Sequence, residues 1–254
     1  MSRAVLTLSI VSHGQIELVD LLLSDLEKYC DTTALEVIVT VNITEALPVS
    51  LNERPFAVQV VHNSCALGFG ENHNQAFRQA SGQYFGVLNP DVRMSSDVFP
   101  LLMAGVNAPS IGVAAPLVLN QAGAIEDSAR HFPTPLKILC KLFGRCGGGD
   151  YVIGAEPVYP EWVGGMFMVF RSDVYRQMGG FNEKFFLYYE DVDLCARLWL
   201  KGLRVALIPG ARVTHEARRS SHRSAAYLTL HLRSMARFFL SGTFVKVMFL
   251  RWQR

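Results

Sequence analysis

The chain has 254 residues, and 50% of them are hydrophobic, which is ample for a folded core and too apolar for a disordered protein. The 24 Lys and Arg against 22 Asp and Glu leave a formal net charge of +2, whereas a generic nucleic-acid binder carries a larger basic excess. The charge is uneven, because residues 217–254 hold eight Lys and Arg and no acid, while residues 1–216 hold sixteen basic and 22 acidic residues. We expect no nucleic acid as a partner, but an anionic surface that meets the basic end of the chain.

Cysteine usage and hydrophobic patterning indicate the compartment. The five cysteines are scattered and form no CxxC pair, so they predict neither a disulfide framework nor a zinc site and favour a reducing cytosol. The first residues lack the basic region of a signal peptide, and we expect none. The longest uncharged stretch, residues 98–125, is broken by Pro100, Pro109 and Pro116 into pieces too short to span a bilayer. A soluble or peripheral protein is expected.

The first ninety residues alternate between strand and helix patterns. Strands are predicted at residues 4–12, 35–41, 56–61 and 84–88, and helices at residues 17–29 and 71–80. This β-α-β-β-α-β order predicts a largely parallel, Rossmann-like sheet that binds ligands beyond the carboxyl ends of its strands.

The second half is less regular, and residues 120–160 show no strong periodicity. Strands are predicted at residues 111–119, 166–170 and 203–208, and helices at residues 97–104, between Ser172 and Gly179, and at residues 190–201. We expect Ser172 to cap the second of these helices, and Gly179-Gly180 to end it. Residues 222–254, which we call the tail, are helical and basic in pattern.

Leu88-Asn89-Pro90-Asp91 ends the fourth strand, so a carboxylate lies at the ligand edge of the sheet. Together with Asn89, Asp91 could hold a hard divalent cation and a ribose hydroxyl. The alternative is an Asn-Pro-Asp turn that only ends a strand.

Residues 67–74, LGFGENHN, lead into a helix and superficially resemble a dinucleotide fingerprint. His73 occupies the third glycine position, however, and the motif follows the third strand instead of the first. Gly68 and Gly70 could let the backbone approach an anionic ligand at the helix N-terminus. The alternative is a glycine turn in which Asn74 provides local hydrogen bonds.

Residues 162–165 (WVGG), 179–183 (GGFNE) and 188–194 (YYEDVDL) form the densest set of chemically active side chains. Three carboxylates in four positions at a helix start would repel one another without screening, and helix capping accounts for only one or two of them. The neighbouring aromatic residues and paired glycines predict a flat, sugar-sized surface beside the acids.

His215 follows the last predicted strand and could complete a metal–diphosphate site, although a lone histidine is more often structural. It precedes a basic cluster of Arg218, Arg219, His222 and Arg223.

In this order the four blocks resemble glycosyltransferase family 2, the inverting enzymes with a GT-A fold. The resemblance covers about residues 4–215, including the opening at residues 9–14 and the stretch at residues 63–74. Its most specific part is residues 162–202, WVGGMFMVFRSDVYRQMGGFNEKFFLYYEDVDLCARLWLKG. Within the family, the chain is most similar to bacterial rhamnosyltransferases that build O-antigen or related surface polysaccharides, whose tails carry a stretch like HLRSMARFF at residues 231–239.

The resemblance implies an α/β GT-A fold with a Rossmann-like, mixed or mostly parallel sheet flanked by helices. Residues 1–221 would form the glycosyltransferase domain, with residues 1–92 as its nucleotide-sugar half and residues 93–221 as its acceptor half. The tail would follow as a basic amphipathic helical segment.

The resemblance also implies roles for single residues. Asp91 and His215 would hold Mg²⁺ or Mn²⁺ at the donor diphosphate, with Asn89 in place of the first acid of the family's DxD motif. Asp191 would be the general base, supported by Glu190. The residues expected to contact substrate are Ser12, His13, Asn42, Gly68, Gly70, Asn74, Asn89, Trp162, Gly164 and Gly165. The chain departs from many relatives at residues 40–42, Thr-Val-Asn in place of Val-Asp-Asn, and so lacks an acid that often contacts the nucleotide base.

The function implied is transfer of rhamnose from dTDP-rhamnose to a saccharide on a polyprenyl diphosphate carrier. The enzyme would be cytoplasmic and peripheral on the inner face of the cell membrane, with its tail on anionic lipid. The alternative for the tail is a helix packed on the body. Alternatives for function are a UDP-hexose donor, a catalytically silent partner in a polysaccharide assembly complex, and an NAD-dependent oxidoreductase. The last would require a glycine fingerprint directly after the first strand, where residues 12–15 are SHGQ.

Overall fold

A computed structural model describes residues 4–142, 149–216 and 225–252. In chain order its elements are β1 (Leu6–Ser12), α1 (Ile16–Tyr29), β2 (Leu35–Val41), a 3₁₀ turn (Val49–Asn52), β3 (Ala57–His62), α2 (Phe69–Phe77), β4 (Tyr84–Leu88), β5 (Val92–Arg93), α3 (Phe99–Asn107), β6 (Ile111–Leu119), β7 (Ala129–Arg130), α4 (Pro135–Leu142), β8 (Trp162–Val163), β9 (Phe167–Arg171), α5 (Ser172–Met178), α6 (Glu190–Leu200), β10 (Arg204–His215), α7 (Ala225–Phe239) and α8 (Gly242–Trp252).

Eight of the strands form one mixed sheet in the order β3-β2-β1-β4-β9-β6-β10-β5, and β7 pairs with β8 separately. The strands β3, β2, β1 and β4 are parallel, whereas β9 is antiparallel to both β4 and β6. The chain reverses its direction of travel across the sheet between β1 and β4, where an α/β sheet opens a ligand crevice. The predicted α/β architecture is confirmed, and the eight-stranded sheet runs through both predicted halves.

Side chains on alternate positions of the central strands enter two separate cores. Along β4, Tyr84 and Leu88 join the core on one face of the sheet, while Phe85 and Val87 join the core on the other. The helices α1 and α3 cover the first face, and α5 and α6 cover the second. Burial on both faces explains why these strands appear in the sequence as nearly continuous apolar runs.

The last strand is longer than predicted. The pattern predicts a strand that ends at residue 208, but β10 continues to His215. Residues 209–211 bulge between Ile208, which pairs with Pro116, and Arg212, which pairs with Leu117. The bulge accommodates Pro209, which cannot donate a ladder hydrogen bond, and the strand then resumes.

The predicted cap at Ser172 is wrong. Arg171 occupies the N-cap position of α5, and the Ser172 hydroxyl donates to the carbonyl oxygen of Gly82 at 2.7 Å. The predicted end of the helix is confirmed, because Gly179 adopts a left-handed conformation with φ of 71°.

The described part of the tail forms two helices that pack on the body. Phe238 of α7 and Val247 of α8 are fully buried, and Arg251 forms an ion pair with Glu161 at 2.6 Å. One face of each helix therefore behaves as the packed alternative predicts. Exposed apolar side chains remain at Leu228, Leu232, Leu240, Val245, Phe249, Leu250 and Trp252.

Within the described residues, no helix combines the length and apolarity that crossing a bilayer requires.

Candidate active site

The segment that leads into α6 has an unusual backbone. Tyr188 and Tyr189 have φ of 69° and 68°, in the left-handed region that residues with a Cβ rarely adopt. Tyr189 is the N-cap of α6, and its carbonyl oxygen accepts the first hydrogen bond, from the amide of Asp193. The helix begins directly after this left-handed pair, so Glu190 and Asp191 lie in its first turn.

Two backbone amides hold the carboxylate of Asp191, which is half-buried. One carboxylate oxygen accepts a hydrogen bond from the amide of Gly165 at 2.9 Å, and the other accepts one from the amide of Val192 at 2.8 Å. Burial raises the pKa of Asp191, although these amides and the positive charge of Arg130 oppose the rise. A carboxylate with a raised pKa is a stronger base than an exposed aspartate, and its orientation is fixed.

Glu190 lies beside Asp191 and is buried. Burial and the charge of Asp191 raise the pKa of Glu190 well above its usual range. Its Oε2 atom has no hydrogen-bond partner among the described residues. The two carboxyls therefore share an environment that disfavours two negative charges.

The third acid of the motif has a different role. Asp193 is buried and accepts a hydrogen bond from Nε of Arg197 at 2.7 Å. The same guanidinium donates to the carbonyl oxygens of Met178 and Gly180, at the end of α5. Asp193 thus anchors α6 to α5, and only two of the three carboxylates remain for chemistry.

A cavity of about 590 Å³ opens over Glu190 and Asp191. Its wall is largely aromatic and apolar, and it draws on α4, α6, α7 and the strand β8. The aromatic residues that line it are Trp162, Tyr188, Tyr189 and Tyr227, and further lining residues are Arg130, His131, Pro133, Lys137, Ile138, Asp150, Val192, Leu228, His231 and Met235. Aromatic faces of this kind suit the apolar faces of a pyranose, and a volume in this range suits a small ligand.

Asp91 and His215 meet at the edge of the sheet. His215 ends β10 opposite Val92 on β5, and its Nε2 atom lies 3.3 Å from a carboxylate oxygen of Asp91. Its Nδ1 atom lies 2.9 Å from Oε2 of Glu126. Burial lowers the pKa of His215, but the hydrogen bonds and charges of Asp91 and Glu126 outweigh burial and raise it to about 9.

These residues fit a divalent cation with few protein ligands. Oδ1 of Asp91 is buried and has no hydrogen-bond partner in the described part of the chain. Glu126 orients the imidazole so that Nε2 faces the carboxylate, as an outer partner does at metal-binding histidines. The described residues contain no group of three or more His, Cys, Asp or Glu side chains placed to hold a metal.

Backbone hydrogen bonds join the segment that contains Asn89 and Asp91 to the segment that contacts Asp191. The amide of Asn89 donates to the carbonyl oxygen of Met166 at 2.8 Å, directly beside Gly165, whose amide contacts Asp191. The amide of Gly164 donates to the carbonyl oxygen of Ser128, two residues from Glu126. The structure therefore places Asn89 beside Met166, Gly164 beside Ser128, and Gly165 beside Asp191.

Trp162 is another predicted residue at this site. Its indole Nε1 donates to the carbonyl oxygen of His131 at 3.0 Å, and the guanidinium of Arg130 lies 5.5 Å from the ring centroid.

Three predicted residues lie at the carboxyl ends of β1 and β2. Ser12 is buried, and its hydroxyl accepts from the amide of Gln15 at 3.1 Å. The amide group of Asn42 contacts Nδ1 of His13 at 3.1 Å and both backbone groups of Leu67. Asn42 therefore joins this strand edge to the glycine turn.

Gly68, Gly70 and Asn74 are used in packing. A Cβ on Gly68 would lie 2.8 Å from the carbonyl oxygen of Phe186, and one on Gly70 would lie 2.5 Å from Cβ of Phe181. The Asn74 side chain is buried and bonds both the amide and the carbonyl of Phe181. Contact of these three residues with substrate stays a prediction.

Glu126 and Arg130 also lie at the site, although the sequence pattern does not indicate them. Both lie in the weakly periodic residues 120–160, and both reach the site through contacts with residues distant in sequence. The basic cluster of Arg218, Arg219, His222 and Arg223 lies outside the described residues.

The family model described as glycosyl transferase family group 2 matches residues 86–253. The chain belongs to this family. This transferase is 28% identical over 244 residues to the rhamnosyltransferase WbbL of Escherichia coli (strain K12), with 90% of each chain covered. It is also 28% identical over 225 residues to an N-acetylglucosaminyl-diphospho-decaprenol L-rhamnosyltransferase of Mycobacterium tuberculosis (strain ATCC 25618 / H37Rv), which covers 75% of this chain and 69% of that protein. The predicted family membership is confirmed.

Solved structures share the fold of this transferase. GalNAc-T7 with UDP, GalNAc and Mn²⁺ superposes with a TM-score of 0.68 at 16% identity, over 92% of this chain and 48% of that chain. The mannosyltransferase PcManGT from Pyrobaculum calidifontis, in complex with GDP-Man and Mn²⁺, gives a TM-score of 0.66 at 16% identity, over 95% and 66%. The chain thus spans about half of the first structure and about two thirds of the second. The predicted GT-A fold is confirmed.

Proposed function

We propose that the protein transfers rhamnose, with inversion, from dTDP-rhamnose to a saccharide carried on a polyprenyl diphosphate. The main support for this proposal is the Asp191 carboxylate, which lines the aromatic cavity and is oriented by hydrogen bonds from two backbone amides. The Asp91–His215 pair would bind the donor diphosphate. It lies near Asn89, whose amide donates to the carbonyl oxygen of Met166, the residue after Gly165.

In the proposed reaction, Asp191 acts as the general base. An acceptor hydroxyl that enters the cavity gives its proton to a carboxylate oxygen of Asp191 as it attacks the anomeric carbon. The raised pKa of Asp191 favours the proton transfer, and the amide of Gly165 keeps the carboxylate oriented. One displacement from the face opposite the leaving group inverts the anomeric centre, and no covalent intermediate is needed.

Asp91 and His215 would hold Mg²⁺ or Mn²⁺ at the donor diphosphate. When bound, the ion neutralises charge on the nucleoside diphosphate as it leaves. Glu126 fixes the orientation of the His215 ring throughout. We expect Asp91→Ala to abolish Mn²⁺-dependent binding of thymidine diphosphate in calorimetry, and His215→Ala to weaken it less. Unchanged metal dependence in Asp91→Ala would place the ion elsewhere.

The donor is inferred from the names of relatives and from one position in the sequence. Two relatives are rhamnosyltransferases by name. Val41 stands where an acid often contacts the nucleotide base in related enzymes, which favours a base other than uracil. A pocket for a methyl group prefers it over hydroxymethyl by about 1–3 kcal/mol, so some transfer of other sugars is expected.

The deciding experiment compares donors at equal concentration on a polyprenyl-diphosphate-linked saccharide, with Mn²⁺ present. We expect the thymidine-linked rhamnose to transfer fastest, and NAD to leave the melting temperature unchanged while the nucleotide sugar raises it. Faster transfer from a uridine-linked hexose would refute the rhamnosyl assignment and leave a family 2 transferase. Binding of the donor without turnover on any acceptor would favour the silent-partner alternative.

A lipid-linked acceptor would require the enzyme to work at a membrane, and we propose that the tail attaches it to the inner face of the cell membrane. Leu240 and Trp252 are each 86% exposed, and Phe249 is 56% exposed. Exposed basic side chains are interleaved with them at Arg233, Arg237 and Lys246. Apolar and basic side chains mixed in this way suit an anionic bilayer surface.

Flotation with liposomes tests the attachment. Because Val247 is buried in the body, point substitutions are preferable to deletion of α8. We expect the combined variant Leu240→Ser, Phe249→Ser, Trp252→Ser to lose binding to anionic vesicles. The matched control is Leu101→Ser on α3, where the leucine is also exposed. Equal binding of the wild type to neutral and anionic vesicles would argue against the electrostatic part of the proposal.

A further inference from the structure

One face of α7 lies against the residues that precede α6. The hydroxyl of Ser234 donates to the carbonyl oxygen of Leu187 at 2.7 Å. The ring of His231 lies 5.1 Å from the ring of Tyr188 and 5.5 Å from the ring of Tyr189, edge-on to both. Positions 231 and 234 are three apart, so both side chains lie on one side of the helix.

The same face continues into the core. Phe238, four residues after Ser234, is fully buried with its ring 5.6 Å from that of Tyr189, and Phe239 lies 6.4 Å from the same ring. Contacts from α7 therefore reach residues 187–189 through the hydrogen bond from the Ser234 hydroxyl to the Leu187 carbonyl oxygen and through both tyrosine rings.

The residues that α7 covers are held in an unfavourable backbone conformation. Within the described chain, Tyr188 and Tyr189 are the non-glycine residues with positive φ. Such a conformation crowds Cβ against the backbone and persists only where the surroundings determine it. The aromatic contacts of this pair with His231, Phe238 and Phe239 come from α7.

The left-handed pair determines where Asp191 lies. Tyr189 is the N-cap of α6, and Asp191 follows two residues later. Relaxation of either tyrosine toward a common conformation would rotate the first turn of α6 and move the Asp191 carboxylate away from the amide of Gly165, now 2.9 Å distant.

We propose that α7 is a positioning element of the transfer reaction: through Ser234 and His231 it holds the Tyr188–Tyr189 pair, which in turn places Asp191. This inference rests on the proposed role of Asp191 as general base. The tail then serves the chemistry directly, in addition to any contact with a membrane.

The first test is kinetic and uses the full-length enzyme with a detergent-dispersed acceptor, so that membrane attachment has no influence. We expect Ser234→Ala to lower kcat by about 10- to 100-fold, because small displacements of a catalytic group cost rates of this order. The donor KM should stay within about twofold. Ser234→Thr keeps the hydroxyl and should retain kcat. The control is Thr229→Ala, at an exposed position on the same helix.

The second test needs no turnover. Hydrogen exchange of the peptide that spans residues 185–195 should be faster in Ser234→Ala and in His231→Ala than in the wild type, and close to the wild type in Thr229→Ala. His231→Phe keeps a ring against the tyrosines and should exchange as the wild type does. If the wild type transfers no sugar, the proposed function fails while the exchange result still decides this inference.

The outcomes separate clearly. Loss of kcat with unchanged donor KM, rescue by Ser234→Thr and faster exchange at residues 185–195 support the positioning role. Wild-type kcat and exchange in both Ser234→Ala and His231→Ala overturn it. A kcat loss that Ser234→Thr fails to restore, with exchange raised across the whole body, overturns it too, because α7 would then stabilise the fold only.

Discussion

Replacement of Asp191 by asparagine tests the proposed base with the smallest change in shape. The side chain keeps its size but cannot accept a proton from the acceptor at useful rates. Loss of a general base costs about 100- to 10,000-fold in rate, which corresponds to about 3–5 kcal/mol of barrier. Donor affinity should change little, because Asp91 lies in the turn between β4 and β5 and His215 ends β10.

The effect of Asp191→Asn on stability should be small, since two terms oppose each other. The carboxylate now accepts from the amides of Gly165 and Val192, and an amide side chain has only one oxygen to offer. One amide is then left unpaired, at about 1–3 kcal/mol. Removal of a negative charge beside buried Glu190 offsets part of this cost.

The assay is turnover with donor and acceptor both saturating, together with calorimetric binding of the nucleoside diphosphate. The matched control is Asp193→Asn, two residues away, which loses part of its ion pair with Arg197 and should lower stability more than turnover per folded enzyme. If Asp191→Asn retains more than about a tenth of the wild-type rate, the base is another group.

Three further predictions follow from single contacts. Burial raises the pKa of Glu190 in the folded state, so the contribution of Glu190 to stability is present at low pH and is lost as the pH rises through that raised pKa. Between pH 5 and pH 8, Glu190→Gln should therefore lose less stability than the wild type, as measured by urea unfolding. Parallel curves of stability against pH would contradict this. Gly180 has φ of 68°, and a Cβ there would overlap the amide oxygen of Asn74, so Gly180→Ala should destabilise by about 2–5 kcal/mol. The control is Gly179→Ala, where φ is 71° and no atom lies within 4 Å, with an expected cost of about 1–2 kcal/mol; equal losses would show that the overlap relaxes. Asp91→Ala should remove the stimulation of turnover by Mn²⁺, and a variant that Mn²⁺ still activates would contradict the assignment.

The sequence predicts the central strands well, because their apolar residues are continuous and are bounded by turn residues. The predicted strands at residues 35–41, 84–88 and 111–119 match β2, β4 and β6 residue for residue. Burial on both faces of the sheet requires this pattern, so it is visible without any tertiary information. The family resemblance, carried by residues 162–202, is likewise a property of the sequence, and it indicates Asp91, Asp191 and His215 as candidates.

The tertiary structure alone decides how neighbouring residues divide their roles. Three acids within residues 190–193 look alike in the sequence, but Asp193 pairs with Arg197, while Glu190 and Asp191 face the cavity. Periodicity reports which face of an element is apolar, not which distant segment covers it. Glu126 meets His215 across 89 positions, and α7 covers the start of α6 through Ser234, 47 positions from its partner. Such contacts form only when the sheet brings remote segments together, and for this reason the basic tail, which the sequence shows as a surface helix, also forms a wall of the site.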